Sequence, residues 1–385
     1  MLLEVIFWSS LVLIGVTYVL YPALMWLAGR RRLSQQSALP ARQDWPTVTL
    51  VIAAYNEEAV IGAKIENSLA LDYPRDRLEV MVVSDASTDR TDEIVRSYAG
   101  QGVVLARQSV RRGKSAGLTS AVPGARGELL VFSDANSMYR PDAVKQLVMP
   151  FEDETTGYVV GAQTYVTDEA SSVSRSETLY WNVELAIKAG ESRFSSVVGG
   201  DGAIFALRKA LFEPLLDDDI SDFVTPLRIV AQGYRGVFQP SAVCTEETAQ
   251  DYGGEFRRKV RIINQALHGV LRARQALNPW RTGLFAFQLF FHKVVRWFVP
   301  YLLLLFFASS LFLTVLGGGW IYTLALAAQL LAYALAWQFS RTPQRALPLA
   351  SLCFYFCLAN LAALQATLGV MTGRSISTWT PERSP

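Results

Sequence analysis

Two oxygen-bearing side chains end an apolar run in the middle of the chain. The stretch Leu129–Asn136 reads LLVFSDAN, so Asp134 closes a buried-looking strand and Asn136 stands two residues later. Ligands of open α/β sheets lie at the carboxyl ends of strands. A carboxylate followed by an amide suits a hard divalent cation that also binds phosphate and water. A turn is the alternative, because Asp and Asn side chains bond to nearby backbone. These residues alone leave both interpretations open.

Polar side chains also follow the other apolar runs. They are Tyr55, Asn56 and Glu57 in AYNEE, Asp85 in SDASTDRTDE, Lys114 in RRGKSAG and Asp222 in DDDISDFVTPLRI. Each cluster has a structural alternative: Ser87, Asp89 and Thr91 are typical of a helix cap, Asp217–Asp219 of a solvated acidic loop, and Lys114 of surface charge. Several polar clusters at successive strand ends are harder to explain in this way, and they indicate a binding edge.

The elements that position these residues alternate between strand and helix. Apolar runs predict strands at Val48–Ala53, Leu78–Val83, Val103–Ala106 and Glu128–Phe132, with helices at Glu57–Leu69, Thr91–Ser97 and Ser115–Ala121. Such βαβ repetition predicts a parallel sheet covered by helices on both faces. The first turn, AYNEE, lacks the GxGxxG pattern of dinucleotide dehydrogenases, and Gln108 stands where a GxxxxGK[ST] loop needs glycine.

Composition argues against several classes of protein. The 385 residues carry a net charge of +2, which gives no support for a nucleic-acid partner. Three cysteines and two histidines argue against a disulfide framework, a zinc site and histidine-based triad chemistry. The chain is 51% hydrophobic and 18% charged, and the apolar excess lies at its two ends.

The N-terminal apolar run has the length of a membrane span. Leu11–Leu27 is almost continuously apolar, the run reaches back to Val5, and Arg30–Arg32 follow directly. Roughly 20 apolar residues cross a bilayer as a helix. Because positive charge marks the cytoplasmic side, we expect the N-terminus outside and the following residues inside. A cleaved signal peptide is disfavoured, since the basic residues follow the apolar run instead of preceding it.

The C-terminal part predicts two further spans and two ambiguous segments. Trp297–Leu316 and Trp320–Trp337 are joined by an uncharged loop, which fits the outside. Ala346–Met371 is long enough to span but carries polar residues such as Asn360. It is either an interfacial or re-entrant helix with the tail inside, which we prefer, or a fourth span. Phe285–Arg296 mixes aromatic and polar residues, and it fits equally a helix in the headgroup layer and the start of the second span.

Four ordered blocks make the chain resemble the membrane-bound family 2 glycosyltransferases of GT-A fold, in particular the branch related to cellulose and hyaluronan synthases. The blocks are VIAAYNEE, VVSDASTDRT, VFSDANSMYRPDA and ISDFVTPLRIVAQGY, and the resemblance covers nearly the whole chain. It implies an α/β GT-A fold, which is a Rossmann-like mixed sheet with helices on both faces, together with transmembrane α-helices. It also implies sugar transfer from a nucleotide-diphosphate donor, with Mg²⁺ or Mn²⁺ as cofactor.

The same resemblance implies roles for individual residues. Those that would bind the nucleotide-sugar donor are Tyr55, Glu57, Asp85, Lys114, Asp134 and Arg261. Asp134 and Asn136 would ligate the metal, and Asp222 would be the general base. Candidates on the acceptor side are Gly200, Asp201 and Arg208 in GGDGAIFALR, and Trp379 in the tail STWTPER.

The chain departs from the family pattern at several positions. Asn136 replaces the second aspartate of the usual metal pair, and a neutral ligand lowers the expected affinity for the cation. Ser221 replaces the glutamate before the base. In EFRRKVRII, Arg258 and Ile262 stand where the family's QxxRW has glutamine and tryptophan. That tryptophan lies at the acceptor in the synthases, so its absence argues against long-chain processive synthesis.

The sequence therefore predicts a membrane glycosyltransferase with its catalytic domain on the cytoplasmic face of the plasma (inner) membrane. Its regions are an N-terminal transmembrane helix (1–29), a basic linker (30–45), the GT-A domain (46–278), a candidate interfacial helix (279–296), a C-terminal membrane region (297–371) and a tail (372–385). The expected partners are a nucleotide-sugar donor, with UDP preferred, a polysaccharide or glycan acceptor, and membrane lipids. Transfer of a single sugar to a lipid-linked acceptor is one alternative, and a non-catalytic nucleotide-binding regulator on a degenerate transferase fold is another.

Overall fold

The computed structural model describes residues 1–33, 44–166, 172–247, 252–342 and 348–376. The centre of this part of the chain is one eight-stranded sheet. Its strands are β1 (Val48–Ala54), β2 (Leu78–Ser84), β3 (Val103–Arg107), β4 (Leu129–Asp134), β5 (Met138–Tyr139), β6 (Thr156–Val166), β7 (Phe205–Arg208) and β8 (Arg235–Glu247). The first four coincide closely with the apolar runs that predict them.

Strand order brings distant parts of the sequence to one edge of the sheet. The order is β3-β2-β1-β4-β7-β6-β8-β5. The neighbours β3, β2, β1 and β4 run parallel, as predicted, so their carboxyl ends share an edge. By contrast, β7 is antiparallel to β4 and pairs Phe205 with Phe132 and Arg208 with Leu129. The segment before β7 therefore lies at the same edge as Asp134. The sheet is mixed, and βαβ repetition predicts only its first half.

Helices cover both faces of the sheet. The α-helices of the described residues are α1 (Leu2–Gly15), α2 (Tyr21–Leu33), α3 (Ile61–Leu69), α4 (Thr91–Ser97), α5 (Lys114–Ala121), α6 (Ala143–Val148), α7 (Ser172–Phe194), α8 (Ser221–Ala231), α9 (Tyr252–Arg272), α10 (Pro279–Thr282), α11 (Leu284–Leu289), α12 (Val295–Val315), α13 (Trp320–Arg341) and α14 (Pro348–Met371). Two π-helical segments, Val16–Leu20 and Phe290–Val294, join α1 to α2 and α11 to α12.

The apolar residues of the strands alternate between two cores. Val51 of β1 belongs to a core that includes residues of α5, α8 and α9. Its neighbours Leu50 and Ile52 belong to the opposite core, which includes residues of α3, α4 and α6. Successive side chains of a strand point to opposite faces, so a continuous apolar run such as VTLVIAA is what a sheet covered on both sides requires.

Four helical runs among the described residues are long and apolar enough to cross a membrane. They are Leu2–Arg30, Leu284–Val315, Trp320–Arg341 and Leu349–Met371. The second begins at Leu284, so the segment that the sequence places either in the headgroup layer or at the start of a span is continuous with α12. The side of the membrane on which each end lies stays a prediction.

The last of these runs, α14, lies along α9. Near one end the Tyr355 hydroxyl donates to Glu255 at 3.3 Å. Just beyond the other end, Gln265 of α9 donates to the carbonyl of Ile376 at 2.7 Å. Both bonds join α14 to the charged helix α9, and this segment is either an interfacial or re-entrant helix or a fourth span. That choice also stays a prediction.

Two glycines let the N-terminal helical run approach the catalytic domain closely. A Cβ on Gly190 of α7 would lie 2.2 Å from the carbonyl oxygen of Met25, and one on Gly29 of α2 would lie 2.6 Å from the Gly190 nitrogen. Arg193 of α7 adds a hydrogen bond to the Ala28 carbonyl at 2.9 Å. The helices α2 and α7 are therefore in backbone contact, and no larger side chain fits between them.

Candidate active site

Three charged side chains converge on Gly202, in the loop before β7. A Cβ on this glycine would lie 3.3 Å from Asp134 Oδ2, 3.3 Å from Lys114 Nζ and 3.4 Å from Asp222 Oδ2. The Lys114 ammonium donates to Asp134 Oδ1 at 2.5 Å. Residues far apart in sequence thus meet at the carboxyl edge of the sheet, and Gly202 leaves open the space between them.

Asp222 lies in the first turn of α8, where the partial positive charge of a helix N-terminus favours a carboxylate. Its backbone carbonyl accepts a hydrogen bond from the Gly200 nitrogen at 2.5 Å. Burial raises the pKa of Asp222, the Lys114 ammonium lowers it, and the carboxylates of Asp201 and Asp134 raise it; the balance lies above the ordinary value. A carboxylate with a raised pKa is a stronger base.

Lys114 remains a cation in this setting. Burial lowers the pKa of its amine, but the carboxylates of Asp134 and Asp222 outweigh burial and raise that pKa above its usual value. Lys114 begins α5 directly after Gly113, whose φ of +96° is easy for glycine and strained for other residues. The conformation of Gly113 therefore places the positively charged side chain of Lys114 in the site.

Asp85 holds the loop that carries Lys114. Its Oδ1 accepts hydrogen bonds from Gln108 Nε2 at 2.6 Å and from the Arg112 nitrogen at 2.9 Å, and its Oδ2 accepts one from the Gly113 nitrogen at 2.9 Å. Three donors engage this carboxylate, although the side chain also lines the cavity. Asp85 therefore shapes the Gly113–Lys114 turn in addition to any contact with the donor.

Hydrogen bonds connect the turn after β1 to the turn after β2. Asn56 and Ala86 have positive φ values of 53° and 57°. Asn56 Oδ1 accepts from the Thr88 nitrogen at 2.9 Å, and the Asn56 nitrogen donates to Ser87 Oγ at 3.2 Å. Strained backbone of this kind is concentrated at functional sites. Within the SDASTDRT run, Asp89 Oδ1 accepts from the Thr91 nitrogen at 3.0 Å, but the N-cap of α4 is Arg90 and no side chain caps this helix.

Tyr55, Glu57 and Arg261 also line the cavity. The guanidinium of Arg111 lies over the Tyr55 ring, 3.8 Å from its centroid. Glu57 is buried, and its carbonyl accepts from the nitrogens of Val60 and Ile61 at the start of α3. Arg261 of α9 is half-buried; burial lowers its pKa, while Asp222 acts in the opposite direction. Arginine stays charged even so. The predicted donor residues thus share one cavity.

The acidic run Asp217–Asp219 is not the solvated loop that one interpretation of the sequence predicts. Asp217 accepts two hydrogen bonds from Arg112, at 3.0 and 3.1 Å. Arg272 of α9 donates to Asp218 at 2.6 and 2.8 Å and to Asp219 at 2.7 Å. These paired carboxylates fix the loop before Asp222 to α9 and to the turn before Lys114.

The acceptor-side candidates separate into two groups. Gly200 and Asp201 lie in the cavity wall, and Asp201 Oδ2 accepts from the buried ammonium of Lys188 at 3.0 Å. Arg208 is not brought to the cavity: it ends β7 beside the start of β4 and donates to the carbonyls of Thr156 and Phe151, each at 2.8 Å. Because β7 is antiparallel to β4, its carboxyl end lies at the opposite edge of the sheet. Trp379 lies outside the described residues.

Sequence reasoning missed two charged side chains near Asp134, of which Lys64 is buried and Glu246 is partly buried. Glu246, near the end of β8, accepts from Gln163 Nε2 at 2.6 Å and from Ser137 Oγ. Burial and the Asp134 carboxylate raise the pKa of Glu246 above its ordinary value. Lys64 of α3 donates to the Ser137 carbonyl at 2.5 Å, and burial lowers the pKa of its amine to about 7. The signal for Glu246 was an acid pair, TEE, at the end of a β-branched run.

A further charged cluster joins the catalytic domain to the long helices. His292, in the second π-helical segment, lies between two glutamates of α7, with Nε2 2.9 Å from Glu184 and Nδ1 2.7 Å from Glu191. Lys293 and Arg296 also donate to Glu184, at 2.9 and 3.3 Å. The mixture of aromatic and polar residues at Phe285–Arg296 is thus explained by contact with α7.

The residues at Asp134 fit a divalent cation that shares its ligands with a substrate. Asp134 Oδ2 has no hydrogen-bond partner in the described part of the chain, and Asn136 lines the same cavity. No cluster of three or more His, Cys, Asp or Glu side chains able to hold a metal occurs within the described ranges. One carboxylate and one amide leave the other positions to diphosphate and water, as Mg²⁺ commonly requires.

The cavity that contains these groups has a volume of about 1360 Å³ and reaches from the carboxyl edge of the sheet to the long apolar helices. The end of the cavity at the sheet has cationic residues, which can bind a diphosphate, and acidic residues, which can bind the accompanying metal ion. A mixed α/β sheet with a lysine and two aspartates converging at one edge is an arrangement that fits a GT-A nucleotide-sugar transferase.

Comparisons with known proteins agree with this class. Residues 49–216 match the model of the family described as Glycosyl transferase family 2. The mannosyltransferase PcManGT from Pyrobaculum calidifontis, solved with GDP-Man and Mn²⁺, has a TM-score of 0.72 and 22% identity, over 97% of this chain and 100% of that one. The chain thus carries a region that matches the glycosyltransferase family 2 model, and the likeness to PcManGT shows that it has the GT-A fold.

Three curated proteins are similar to the chain. The probable glycosyltransferase YdaM of Bacillus subtilis is 27% identical over 74% of this chain and 72% of its own length. A β-monoglucosyldiacylglycerol synthase of Synechocystis is 31% identical over 43% of this chain and 36% of its own. A poly-β-1,6-N-acetyl-D-glucosamine synthase of Staphylococcus aureus is 23% identical over 67% of this chain and 64% of its own. The chain therefore spans about a third of the second protein and under two thirds of the third.

Proposed function

We propose that the protein transfers a sugar, with inversion, from a nucleotide-diphosphate sugar to an acceptor hydroxyl at the cytoplasmic face of a membrane. The observation that carries this proposal is the convergence of Asp134, Lys114 and Asp222 on Gly202. A leaving diphosphate requires positive charge, and an attacking hydroxyl requires a base. The site provides both within the space that one side chain would fill.

The donor end would neutralise the leaving group. Lys114 and Arg261 would face the diphosphate, and Asp134 with Asn136 would hold Mg²⁺ or Mn²⁺. A bound cation supplies charge stabilisation of the diphosphate oxygens. Donors fixed in place before the reaction stabilise developing charge more than water does. We take a UDP-sugar as the first donor to test, although PcManGT was solved with GDP-Man.

The acceptor end would activate the hydroxyl. Asp222 accepts the proton as the hydroxyl oxygen attacks the anomeric carbon, the bond from that carbon to the diphosphate breaks, and the nucleotide diphosphate leaves. General-base catalysis of this kind contributes about 10²–10⁴ in rate. The buried pair Lys188–Asp201 keeps a second carboxylate close to Asp222, which supports its raised pKa.

Replacement of the base tests this proposal. Purified full-length protein is assayed against UDP- and GDP-sugars with Mn²⁺, and both nucleotide release and sugar transfer are followed. Asp222→Asn should lower transfer about 10²-fold or more while leaving the affinity for the nucleotide diphosphate almost unchanged. Asp76→Asn, at an exposed acid outside the cavity, is the matched control. Full activity of Asp222→Asn would exclude the assigned base.

A further inference from the structure

Glu191 of α7 is a buried carboxylate to which the reaction proposed above assigns no role. Its side chain is 0% exposed. A carboxylate removed from water is stable in a folded protein only when hydrogen-bond donors or positive charges engage it. The donors that engage Glu191 therefore show which parts of the molecule it joins.

Two of these donors come from the long apolar helices. The Tyr21 hydroxyl, in the helical run Leu2–Arg30, donates to Glu191 Oε1 at 2.5 Å. His292, in the run Leu284–Val315, has its Nδ1 2.7 Å from the same oxygen. Two runs that are far apart in the sequence, each long and apolar enough to cross a membrane, thus meet at one oxygen atom.

The other oxygen of Glu191 binds the loop before β7, residues 198–202, which we call the reaction loop. Glu191 Oε2 accepts from the Val198 nitrogen at 2.9 Å. Two residues later the Gly200 nitrogen donates to the Asp222 carbonyl at 2.5 Å, and Gly202 provides the space on which the three charged side chains of the site converge. One carboxylate therefore contacts the long helices through one oxygen and the reaction loop through the other.

Helix α7 also binds the reaction loop near its other end. Lys188, about one turn before Glu191, donates to Asp201 Oδ2 at 3.0 Å, and both side chains of this pair are at most 7% exposed. Between the two bonds Gly199 has a φ of +80°, a conformation that few other residues adopt. A displacement of α7 would therefore displace the loop and its bond to Asp222.

The second helical run is bound to α7 along two turns. The Nε2 of His292 lies 2.9 Å from Glu184, which precedes Glu191 by seven residues and so by about two helical turns. Gln288 of the same run donates to the Glu191 backbone carbonyl at 3.1 Å. A slide or rotation of this run against α7 would break these buried bonds together, so they specify one relative position of the two helices.

Resting on the glycosyl transfer proposed above, we infer that Glu191 is a positioning residue for that reaction. It transmits the packing of the two long apolar runs, through Tyr21 and His292, to the reaction loop and from there to Asp222. The catalytic geometry is complete only when both runs are docked on α7. The action of Glu191 is indirect, through its bond to the Val198 nitrogen.

Two variants of the full-length protein in phosphatidylcholine nanodiscs test this inference, with a third as control. Glu191→Gln keeps the shape of the side chain but offers one acceptor oxygen and one NH₂ group, so at least one of the three donors loses its acceptor. Tyr21→Phe removes a single hydroxyl from the first run. Glu66→Gln is the matched control, because Glu66 of α3 also accepts from a tyrosine hydroxyl, that of Tyr98 at 3.0 Å, but at an exposed position.

Hydrogen–deuterium exchange of the reaction loop is a measurement that needs no activity. We expect the amides of residues 198–202 to exchange faster in Glu191→Gln and also in Tyr21→Phe, although Tyr21 lies in a different helix. Exchange in β1 should be unchanged, which separates a local release of the loop from general unfolding. In Glu66→Gln the loop should exchange as in the natural protein.

Turnover is measured with UDP- and GDP-sugars and Mn²⁺, per nucleotide-binding site counted by calorimetry. We expect kcat to be about tenfold or more lower in Glu191→Gln at equal affinity for the nucleotide diphosphate, because the groups at the donor end stay in place while Asp222 is misplaced. Tyr21→Phe should lose less. The double variant should lose no more than Glu191→Gln alone, since both substitutions break the same connection.

Other results would overturn the inference or the function separately. Unchanged exchange of the reaction loop in both variants would reject the connection, and faster exchange at the natural kcat would reject the positioning role. Losses that multiply in the double variant would show two independent effects and would also reject it. If Glu191→Gln does not fold, Tyr21→Phe supplies both measurements. A loop that responds as expected, in a protein that releases nucleotide from none of the donors, would leave the connection standing and reject the proposed reaction.

Discussion

The indole of Trp297, at the start of α12, packs against the ring of Phe223 with centroids 5.9 Å apart and planes inclined by 66°. Phe223 follows Asp222 directly in the sequence. A helix with the length and composition of a membrane span therefore contacts the residue next to the proposed base. The position of the reaction centre depends on the long helices as well as on the sheet.

Trp297→Leu should show how far the long helices, in addition to the sheet, determine the position of Asp222. Loss of the edge-on ring contact removes about 0.5–1.5 kcal/mol beyond the buried area, and α8 gains freedom to move Asp222. We expect kcat to fall about tenfold while the affinity for the nucleotide diphosphate stays the same, because the donor end is lined by other elements. Trp337→Leu, at a side chain of α13 that is 63% exposed, is the control. Equal loss in both variants would show a general destabilisation instead.

Gly202→Ala should disturb all three charged side chains at once. The added methyl would lie 3.3–3.4 Å from Asp134, Lys114 and Asp222, so each must move by a few tenths of an ångström. Small misplacements of catalytic groups cost up to about 10²-fold in rate. We expect a loss of that order in kcat/KM at unchanged melting temperature. Gly100→Ala, where an added methyl meets nothing within 4 Å, should keep full activity.

The pH profile should report Asp222. Only its carboxylate form accepts a proton, so activity should fall as the pH falls through a pKa that burial raises above the ordinary carboxyl value. Asp201→Asn removes a carboxylate that raises the pKa of Asp222, while the Lys188 cation stays in place, so the pKa of Asp222 should fall. The acid limb of kcat/KM should therefore move to lower pH in this variant. An acid limb that stays in place would show that another group controls it.

Asn136→Asp should strengthen cation binding. A second carboxylate beside Asp134 adds a charged oxygen ligand of the type that Mg²⁺ and Mn²⁺ prefer. We expect the dissociation constant for Mn²⁺, measured by electron paramagnetic resonance with nucleotide diphosphate present, to decrease about tenfold, which corresponds to about 1.4 kcal/mol. Asp134→Ala should increase it. If Asn136→Asp binds Mn²⁺ no better than the natural protein, Asn136 is not a ligand.

The strands and their polar ends were predictable because each depends on a short stretch of sequence. An apolar run such as LLVF followed by Asp134 carries its own signal, and parallel pairing then brings Asp85 and Asp134 to one edge. The acidic run Asp217–Asp219 is different. Whether it is solvated or paired depends on Arg112 and Arg272, which lie far away in the sequence and are brought near by the fold.

Arg208 also shows that a local sequence pattern does not determine which residues the fold brings together. Its place in GGDGAIFALR suggests a functional residue, but the direction of β7 decides which edge of the sheet it reaches. No local pattern encodes antiparallel pairing between β4 and β7, whose residues are joined by a long intervening segment. The role of Gly202 could not be predicted from the sequence either. The absence of its side chain matters only because the fold places Lys114 and Asp222 around it.

The backbone contact between Gly29 and Gly190 joins the N-terminal apolar helix to α7 with no side chains between them. Side chains between α2 and α7 could change rotamer and let the two helices shift, whereas two backbones in direct contact cannot adjust in this way. Since α7 also carries Glu184 and Lys188 into the cavity wall, this contact links the N-terminal helix to the position of that wall. A foreign apolar anchor of equal length would hold the enzyme at a membrane without restoring that link.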